Sequence, residues 1–269
     1  MASVTELWTY RNLIANLAER DLKAQHKRSL LGALWSLINP ASTLLIYTLV
    51  FGTFLRIEPP VAGNGELEAF ALYLFCALIM WNFFNMVVRG SMEALAAAGP
   101  LLRKVYFPPE CAPIANAMAV LTQTVLESGI LLLVMLVLSN VSWTFLLFPV
   151  LVVLLICFCL GLGLMLSVAN VYYRDVTHLT GVAMNFLFYA TPIIYPLRIV
   201  PEHAWGLPAR DLVSLNPLTQ FTEGARDLLY LHQVPSLTRW VGLITTSVLI
   251  LLLGRWVFNR ASANLSEEL

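Results

Sequence analysis

The sequence has few charged residues for its length. Asp, Glu, Lys and Arg make up 12% of 269 residues, whereas ordinary soluble domains contain about 25%. Hydrophobic residues account for 59%, and the mean hydropathy is +0.76. So few charges cannot solvate the surface of a soluble protein of this size, which excludes most soluble enzymes. The composition indicates a membrane protein.

Excess charge of one sign is also absent. The 16 basic and 16 acidic residues balance, whereas a nucleic-acid-binding protein needs a basic face, so we expect no nucleic-acid partner. Lysine is especially scarce, and none of Lys23, Lys27 and Lys104 follows a glycine. A phosphate-binding loop requires a Gly-Lys pair, and we therefore do not expect this chain to hydrolyse ATP by that route.

The sequence lacks the residue clusters of common catalytic and metal sites. Its four histidines are scattered, its four cysteines form no C-x-x-C pair, and neither H-E-x-x-H nor G-x-S-x-G occurs. We expect no catalytic residue, no metal site and no cofactor bound by this chain. Gly161 and Gly163 are expected to permit close contact between helices rather than to bind a ligand.

Long apolar runs are what the sequence does contain. A membrane-spanning helix needs about 20 mostly apolar residues. Six runs meet or approach this length: Leu34–Leu55, Ala69–Val88, Pro113–Leu138, Trp143–Val168, Leu179–Tyr195 and Trp240–Phe258. They predict an all-α polytopic membrane protein with six transmembrane helices in residues 34–258.

The basic residues predict the orientation of these spans. Eleven of the 16 lie in the N-terminal segment, between spans two and three, between spans four and five, and at the C-terminal end (Arg255 and Arg260 in and after span six). The other five, Arg226 among them, lie on the opposite side, which is predicted to be external. Because positively charged loops remain in the cytoplasm, both termini are predicted to be cytoplasmic.

Residues 3–29, within an N-terminal segment 1–33, predict an amphipathic helix. Ser3 and Glu6 fit a capping box, and Leu7, Tyr10, Ile14 and Leu17 recur at helical spacing. We expect this helix to lie in the cytoplasmic membrane interface.

Residues 196–239 form a long, apolar connection between spans five and six. Asn216-Pro217 is typical of a helix start, and a stripe of apolar residues follows it: Leu218, Phe221, Ala225 and Leu228. We expect one or two short re-entrant or interfacial helices on the external side. A small external cap is the alternative.

The loop 89–112 predicts a short cytoplasmic helix. Ser91 is a possible N-cap, and Gly99-Pro100 is expected to end the helix after Ala98. An ordinary connector with topology-setting charges is the alternative.

Glu127 is an acid deep within a predicted span. A carboxylate in hydrocarbon must face protein or water, or be protonated. We favour a hydrogen bond between helices, and a proton relay is the alternative.

Several blocks resemble the permease subunits of type-two ABC exporters for polysaccharides, a family that moves O-antigens, capsules, teichoic acids and cell-wall galactan. Residues 20–40 read RDLKAQHKRSLLGALWSLINP, and further blocks read RKVYFP at 103–108, YRD at 173–175, TPIIYP at 191–196 and NP at 216–217. The order and spacing of the blocks cover nearly the whole chain.

The resemblance implies a multi-pass half-transporter of the bacterial plasma membrane. Its partners would be a second copy of the chain and two ABC ATPase subunits, which carry the ATP and Mg²⁺. Its substrate would be a glycan on a polyprenyl-pyrophosphate carrier. A type-two exporter of drugs or lipids is the first alternative, and a membrane-embedded glycosyl- or acyltransferase is a less favoured one.

The resemblance also suggests site residues. Ser91–Ala98 would be the coupling helix that enters the ATPase groove, with contributions from Ser91, Glu93, Leu95, Arg103 and Lys104. Lys27 and Arg28 would bind the carrier's pyrophosphate, unless they only set the topology. The candidate glycan-contacting aromatics are Trp35, Tyr47, Phe51 and Phe54 from span one and Phe186 and Tyr189 from span five. Lipid contact or helix packing is the alternative for each aromatic residue.

Overall fold

The computed structural model of the chain describes residues 4–26, 35–54, 60–204 and 206–261. These residues are helical throughout, apart from loops and an isolated bridge between Ala204 and Leu207, so the prediction of an all-α protein is confirmed. The α-helices are α1 (Val4–Thr9), α2 (Arg11–His26), α3 (Trp35–Tyr47), α4 (Phe70–Leu102), α5 (Cys111–Val137), α6 (Phe148–Tyr172), α7 (Val176–Ala190), α8 (Ala209–Leu215), α9 (Pro217–Leu229) and α10 (Leu237–Ala261).

Four segments of the described chain are long and apolar enough to cross a membrane. They are Phe70–Leu102, Cys111–Val137, Trp143–Tyr172 and Leu237–Ala261, and they coincide with predicted spans two, three, four and six. Trp143–Leu147 forms a 3₁₀ turn that leads into α6. The integral membrane character of the chain follows from these four helices.

The first and fifth predicted spans are shorter than expected in the described residues. α3 continues as a π-helix over Thr48–Phe54, and its apolar part is Ile38–Phe54. α7 ends at Ala190 rather than at Tyr195. Thr191 is extended, with φ −100° and ψ 135°, because the residue before a proline avoids the helical region. The count of six spans stays a prediction.

α4 is the central helix of the bundle. In its most apolar part 83% of the residues are buried, compared with 22% in α10. It packs against α5, α6 and α9, and its buried aromatic side chains form the middle of the main hydrophobic core. A helix that is apolar on all sides must be enclosed by other helices or lipid, and here most of the enclosure is protein.

Glycines lie at two close contacts of α6. Where α6 crosses α10, a Cβ on Gly254 would lie 2.1 Å from the Gly161 carbonyl oxygen. Where α6 meets α4, a Cβ on Gly163 would lie 2.6 Å from Ser91 Oγ. Small residues at such crossings let helix backbones approach each other. The prediction that Gly161 and Gly163 permit close helix contact is therefore confirmed.

The predicted separate helix Ser91–Ala98 is wrong, because this segment is the last part of the continuous helix α4. Ser91 is not an N-cap, since its hydroxyl donates to Val87 O at 2.7 Å within the helix. Gly99-Pro100 does not end α4, which continues to Leu102. Pro100 lies in the last turn, where a missing N–H removes a single helical bond, and burial of Leu95 and Ala98 holds the segment in place.

The N-terminal helices pack on the end of α5. α1 and α2 are separated by a turn at Tyr10. Ile14, Leu17 and Ala18 are buried in a small core with Ala112 and its neighbours on α5. The predicted apolar stripe is confirmed, whereas its placement in the membrane interface stays a prediction. Ser3 lies outside the described residues.

Candidate functional site

A cavity of about 200 Å³ lies between α4 and α7. Its lining residues are Trp81, Asn85, Arg89, Met184, Asn185, Phe188 and Tyr189. The Trp81 and Phe188 rings meet edge to face with centroids 5.4 Å apart, and Phe188 meets Tyr189 at 5.3 Å. We call this site the α4–α7 cavity.

The α4–α7 cavity also has polar groups without partners among the described residues. Asn85 Oδ1 is buried and has no hydrogen-bond partner in the described part of the chain. Arg89 is exposed, and none of the described carboxylates pairs with it. A pocket with apolar walls and a few convergent polar groups is the usual form of a ligand site.

Phe186 and Tyr189, predicted from span five, both lie on the open side of α7. Their side chains are 73% and 66% exposed in the single chain. Tyr189 lines the α4–α7 cavity, but Phe186 does not. The structure thus brings Tyr189 together with aromatic and amide groups that were not among the predicted site residues.

The predicted aromatics of span one do not share one face. Tyr47 and Phe51 are in contact, with centroids 5.7 Å apart, and both pack against the main core. Phe54 is 75% exposed instead, because the π-helical turn changes the spacing that an α-helix would give. Trp35, at the start of α3, is 43% exposed.

Arg226 forms a fully buried polar centre beside the end of α7. Its guanidinium donates to the carbonyl oxygens of Tyr73, Pro192 and Ile193 at 3.2, 2.6 and 2.6 Å. It also pairs with Glu223 at 2.6 Å and lies 4.0 Å from the centre of the Tyr73 ring. Buried charges require such pairing, and here the pairing links α9, α4 and the segment after α7.

Asn216 provides a second link between α7 and α9. Its side-chain oxygen accepts from Leu218 N as the N-cap of α9, and its amide donates to Thr191 Oγ1 at 3.0 Å. The predicted helix start at Asn216-Pro217 is confirmed. The predicted stripe is confirmed as well, since Leu218, Phe221 and their partners on α9 are buried. A re-entrant position in the membrane stays a prediction.

A half-buried ion pair joins α9 to α10. Arg239 pairs with Asp227 and donates to Gln220 Oε1 at 2.9 Å. Burial raises the pKa of Asp227 to about 6, and the Arg239 charge opposes this shift without cancelling it. This pair lies on the side of α9 that faces the start of α10.

Glu127 is buried between α5 and α4. Gln123 Nε2 donates to its carboxyl at 3.2 Å, and the Asn82 side chain of α4 lies within hydrogen-bonding reach. The favoured prediction, a hydrogen bond between helices, agrees with this contact.

The predicted coupling residues separate into two groups. Ser91 and Leu95 are fully buried, so neither can reach another subunit from this fold. Glu93, Arg103 and Lys104 are exposed near the end of α4. Lys27 and Arg28 lie outside the described residues.

Sequence reasoning missed Arg226 and the polar lining of the α4–α7 cavity. Arg226 was counted as an external charge, although it shares a helical face with Thr219, Thr222 and Leu229, all buried. Asn85 and Arg89 follow Trp81 at intervals of four, which places the three on one face of a helix. These helical spacings could have indicated that Arg226 is buried and that Trp81, Asn85 and Arg89 line one site.

Comparison with known proteins identifies relatives of this architecture. Residues 12–230 match the model of the ABC-2 type transporter family. The chain is 30% identical to the O-antigen export system permease protein RfbA of Myxococcus xanthus, over 99% of this chain and 98% of that protein. It is 24% identical to a Klebsiella pneumoniae protein of the same name over 96% and 95%, and 25% identical to the polysialic acid transport protein KpsM of Escherichia coli over 77% of each. The chain belongs to the ABC-2 type transporter membrane family.

Proposed function

We propose that this chain is the transmembrane subunit of an ATP-driven exporter that moves a lipid-linked polysaccharide outward across the bacterial plasma membrane. The observation that carries the proposal is the similarity to O-antigen export permeases over 99% of the chain. The carrier is proposed to be a polyprenyl pyrophosphate, bound on the cytoplasmic side by Lys27 and Arg28. Both termini then lie in the cytoplasm, as the distribution of basic residues favours.

The proposed working unit contains two copies of this chain and two ABC ATPase subunits. The exposed sides of α3 and α7 support the dimer, because Phe54, Phe186 and Tyr189 are each more than 60% exposed. Exposed aromatic surface on this scale is typical of a face that meets a partner, substrate or lipid. A polysaccharide path between two such faces would be lined by aromatic rings.

The contact with the ATPase is proposed to lie at the end of α4. A helix of 33 residues is roughly 50 Å long, whereas the hydrocarbon core is about 30 Å thick. The last turns of α4 therefore extend beyond the hydrocarbon, and they present Glu93, Arg103 and Lys104. This arrangement replaces the short separate coupling helix expected from the sequence.

A complementation experiment tests the function. Deletion of the chromosomal gene is expected to remove the polysaccharide from the cell surface and to accumulate lipid-linked glycan inside. Expression of the intact chain should restore export. Unchanged surface polysaccharide in the deletion strain, or loss of a drug or lipid export activity instead, would contradict the proposal.

A second experiment tests the ATPase contact. Glu93→Arg should uncouple ATP hydrolysis from export, because it reverses the charge at the proposed interface without touching the buried side of α4. The matched control is Glu68→Arg, an acidic residue just before the other end of the helix. Equal effects of the two substitutions would argue against a specific contact.

A further inference from the structure

The α4–α7 cavity contains three kinds of chemical group in a fixed order. Trp81, Asn85 and Arg89 lie four residues apart on α4, so they form one stripe about 12 Å long. The stripe begins with an aromatic ring, continues with an amide and ends with a cation.

α7 supplies matching groups on the opposite wall. Thr180 Oγ1 lies 3.8 Å from Met92 Sδ, and the centroids of the Phe188 and Trp81 rings are 5.4 Å apart. Since the residue numbers rise along α7 as they fall along α4, the two helices run antiparallel here. Asn185 lies between these contacts and is therefore near the level of Asn85. The cavity thus has aromatic rings at one end and two amides in its middle.

The unpaired atoms specify the chemistry of an occupant. Asn85 Oδ1 has no partner in the described chain, and leaving such an atom buried and unpaired costs about 1–3 kcal/mol. Because Oδ1 is shielded from solvent, an occupant can reach it only after the Asn85 amide turns toward the cavity; a hydroxyl that then donates to it would remove this cost. Arg89 has no described carboxylate beside it, and its guanidinium fits a phosphate or carboxylate.

The size of the cavity limits the occupant. Its volume of about 200 Å³ is below the ~300–1,000 Å³ of sites for drug-sized ligands. A single sugar ring is a compact occupant with hydroxyl donors on its rim and C–H faces that pack on aromatic rings. The volume does not suit several sugar units at once.

We propose that the α4–α7 cavity binds one saccharide unit that carries an anionic group. A hydroxyl of the sugar donates to Asn85, the ring packs on Trp81 and Phe188, and the anion pairs with Arg89. This assignment rests on the proposed function, because it is the exported glycan that presents such a unit. The anion is either a phosphate next to the sugar or a carboxylate on it.

Binding to the purified full-length protein in lipid nanodiscs tests the proposal. The probes are methyl glucoside, glucose 1-phosphate and methyl glucuronide, measured by saturation-transfer NMR. We expect at least one anionic probe to bind five times or more tightly than the neutral glucoside, and the better of the two identifies the anion. Arg89→Gln should remove this advantage, and Asn85→Ala should weaken binding of all three probes at least threefold.

Asn116→Ala is the matched control. Asn116 is another half-buried amide side chain that packs against α4. It donates to Val87 O at 3.3 Å and lies next to Gly90, but it does not line the cavity. Equal affinity for all probes, or the same loss with Asn116→Ala as with Asn85→Ala, would overturn the proposal. Melting temperatures of the variants show whether each remains folded, and Arg89→Lys, which keeps the charge, should retain most of the advantage.

The complementation experiment separates failure of this site from failure of the proposed function. If the chain restores export but the probes do not discriminate, the cavity assignment is wrong and the export function stands. If the probes bind as expected but export does not depend on the chain, the function is wrong.

Discussion

The molecule has a packed block, formed by α4, α9 and the sides of α6 and α10 that face them. It also has an open face, formed by the exposed sides of α7 and of α3 with its π-helical continuation Thr48–Phe54. Glycines show the difference. In the packed block, a Cβ on Gly254 would lie 2.1 Å from a backbone oxygen, whereas no atom of the described residues lies within 4 Å of a Cβ added at Gly52 or Gly181 on the open face. The residues of the packed block make their close contacts within one chain. The open face leaves apolar side chains exposed, and a partner or substrate could cover them.

Buried polar groups divide by charge rather than by region. The Arg226 guanidinium in the packed block has four hydrogen-bond acceptors, because a buried charge must be paired. Uncharged buried atoms without a partner in the described residues occur in both regions: Asn85 Oδ1 beside the open face, and Thr219 Oγ1 and Ser247 Oγ in the packed block.

The largest effect is expected for Arg226→Met. This change removes the charge that holds three carbonyl oxygens and leaves Glu223 without its cation. Breaking a buried ion pair costs about 3–5 kcal/mol, so the melting temperature in detergent should fall sharply. Arg20→Met is the control, because Arg20 donates to Asp21 in an exposed pair, and such a pair is worth about 1 kcal/mol or less. A smaller loss of stability for Arg226→Met than for Arg20→Met would show that the buried Arg226 contacts do not stabilise the packed block.

A second prediction concerns the crossing of α6 and α10. Gly254→Ala forces a Cβ against the Gly161 carbonyl, and overpacking of this kind costs about 1–3 kcal/mol. Gly242→Ala on the same helix and Gly181→Ala on α7 should be neutral or slightly stabilising, because both sites are open and alanine favours helix. Thermal unfolding of the three variants measures the difference, and similar unfolding temperatures would remove the distinction between the two regions.

Much of the packed block was predictable from the sequence. Apolar runs located the four long helices, because a run of this length in a bilayer has few structural alternatives. Asn216-Pro217 located the start of α9, because capping is a local interaction. The glycines in span four pointed to a helix crossing, but the partner glycine on α10 depends on tertiary contact.

The open face and the cavity were less predictable. Phe54 was predicted to contact the glycan together with Tyr47 and Phe51, but a π-helical turn separates it from them, and nothing in the local residues signals that turn. Ser91 resembles an N-cap in sequence and is instead a small residue at a helix crossing. Arg226 was counted only among the external charges, because burial of an arginine depends on carbonyl oxygens that distant segments provide.

A smaller effect is expected at the ion pair that borders the packed block. The pKa of Asp227 is raised to about 6 from 3.8, so the folded state binds a proton more tightly than the unfolded state. Stability from this group is present at low pH and is lost as the pH rises from about 4 through 6. Relative to Asp227→Asn, the intact protein should lose about 1 kcal/mol between pH 5 and pH 7. If the stability of both proteins changed in the same way with pH, the pKa of Asp227 would not be raised in the folded state.

The smallest effect on stability is expected on the open face. Truncating one phenylalanine there and one in the packed block tests the difference between the two regions directly. Phe186→Ala removes a side chain that is 73% exposed, so its unfolding free energy should change by about 0.5 kcal/mol or less. Phe221→Ala removes an equal ring from the packed block, where it is fully buried, and should cost about 3–5 kcal/mol. If the open face serves the dimer or the glycan path, Phe186→Ala should nevertheless reduce export at normal protein levels. Normal export would assign this ring to lipid contact, because a lipid-facing ring can be truncated with little effect on either property.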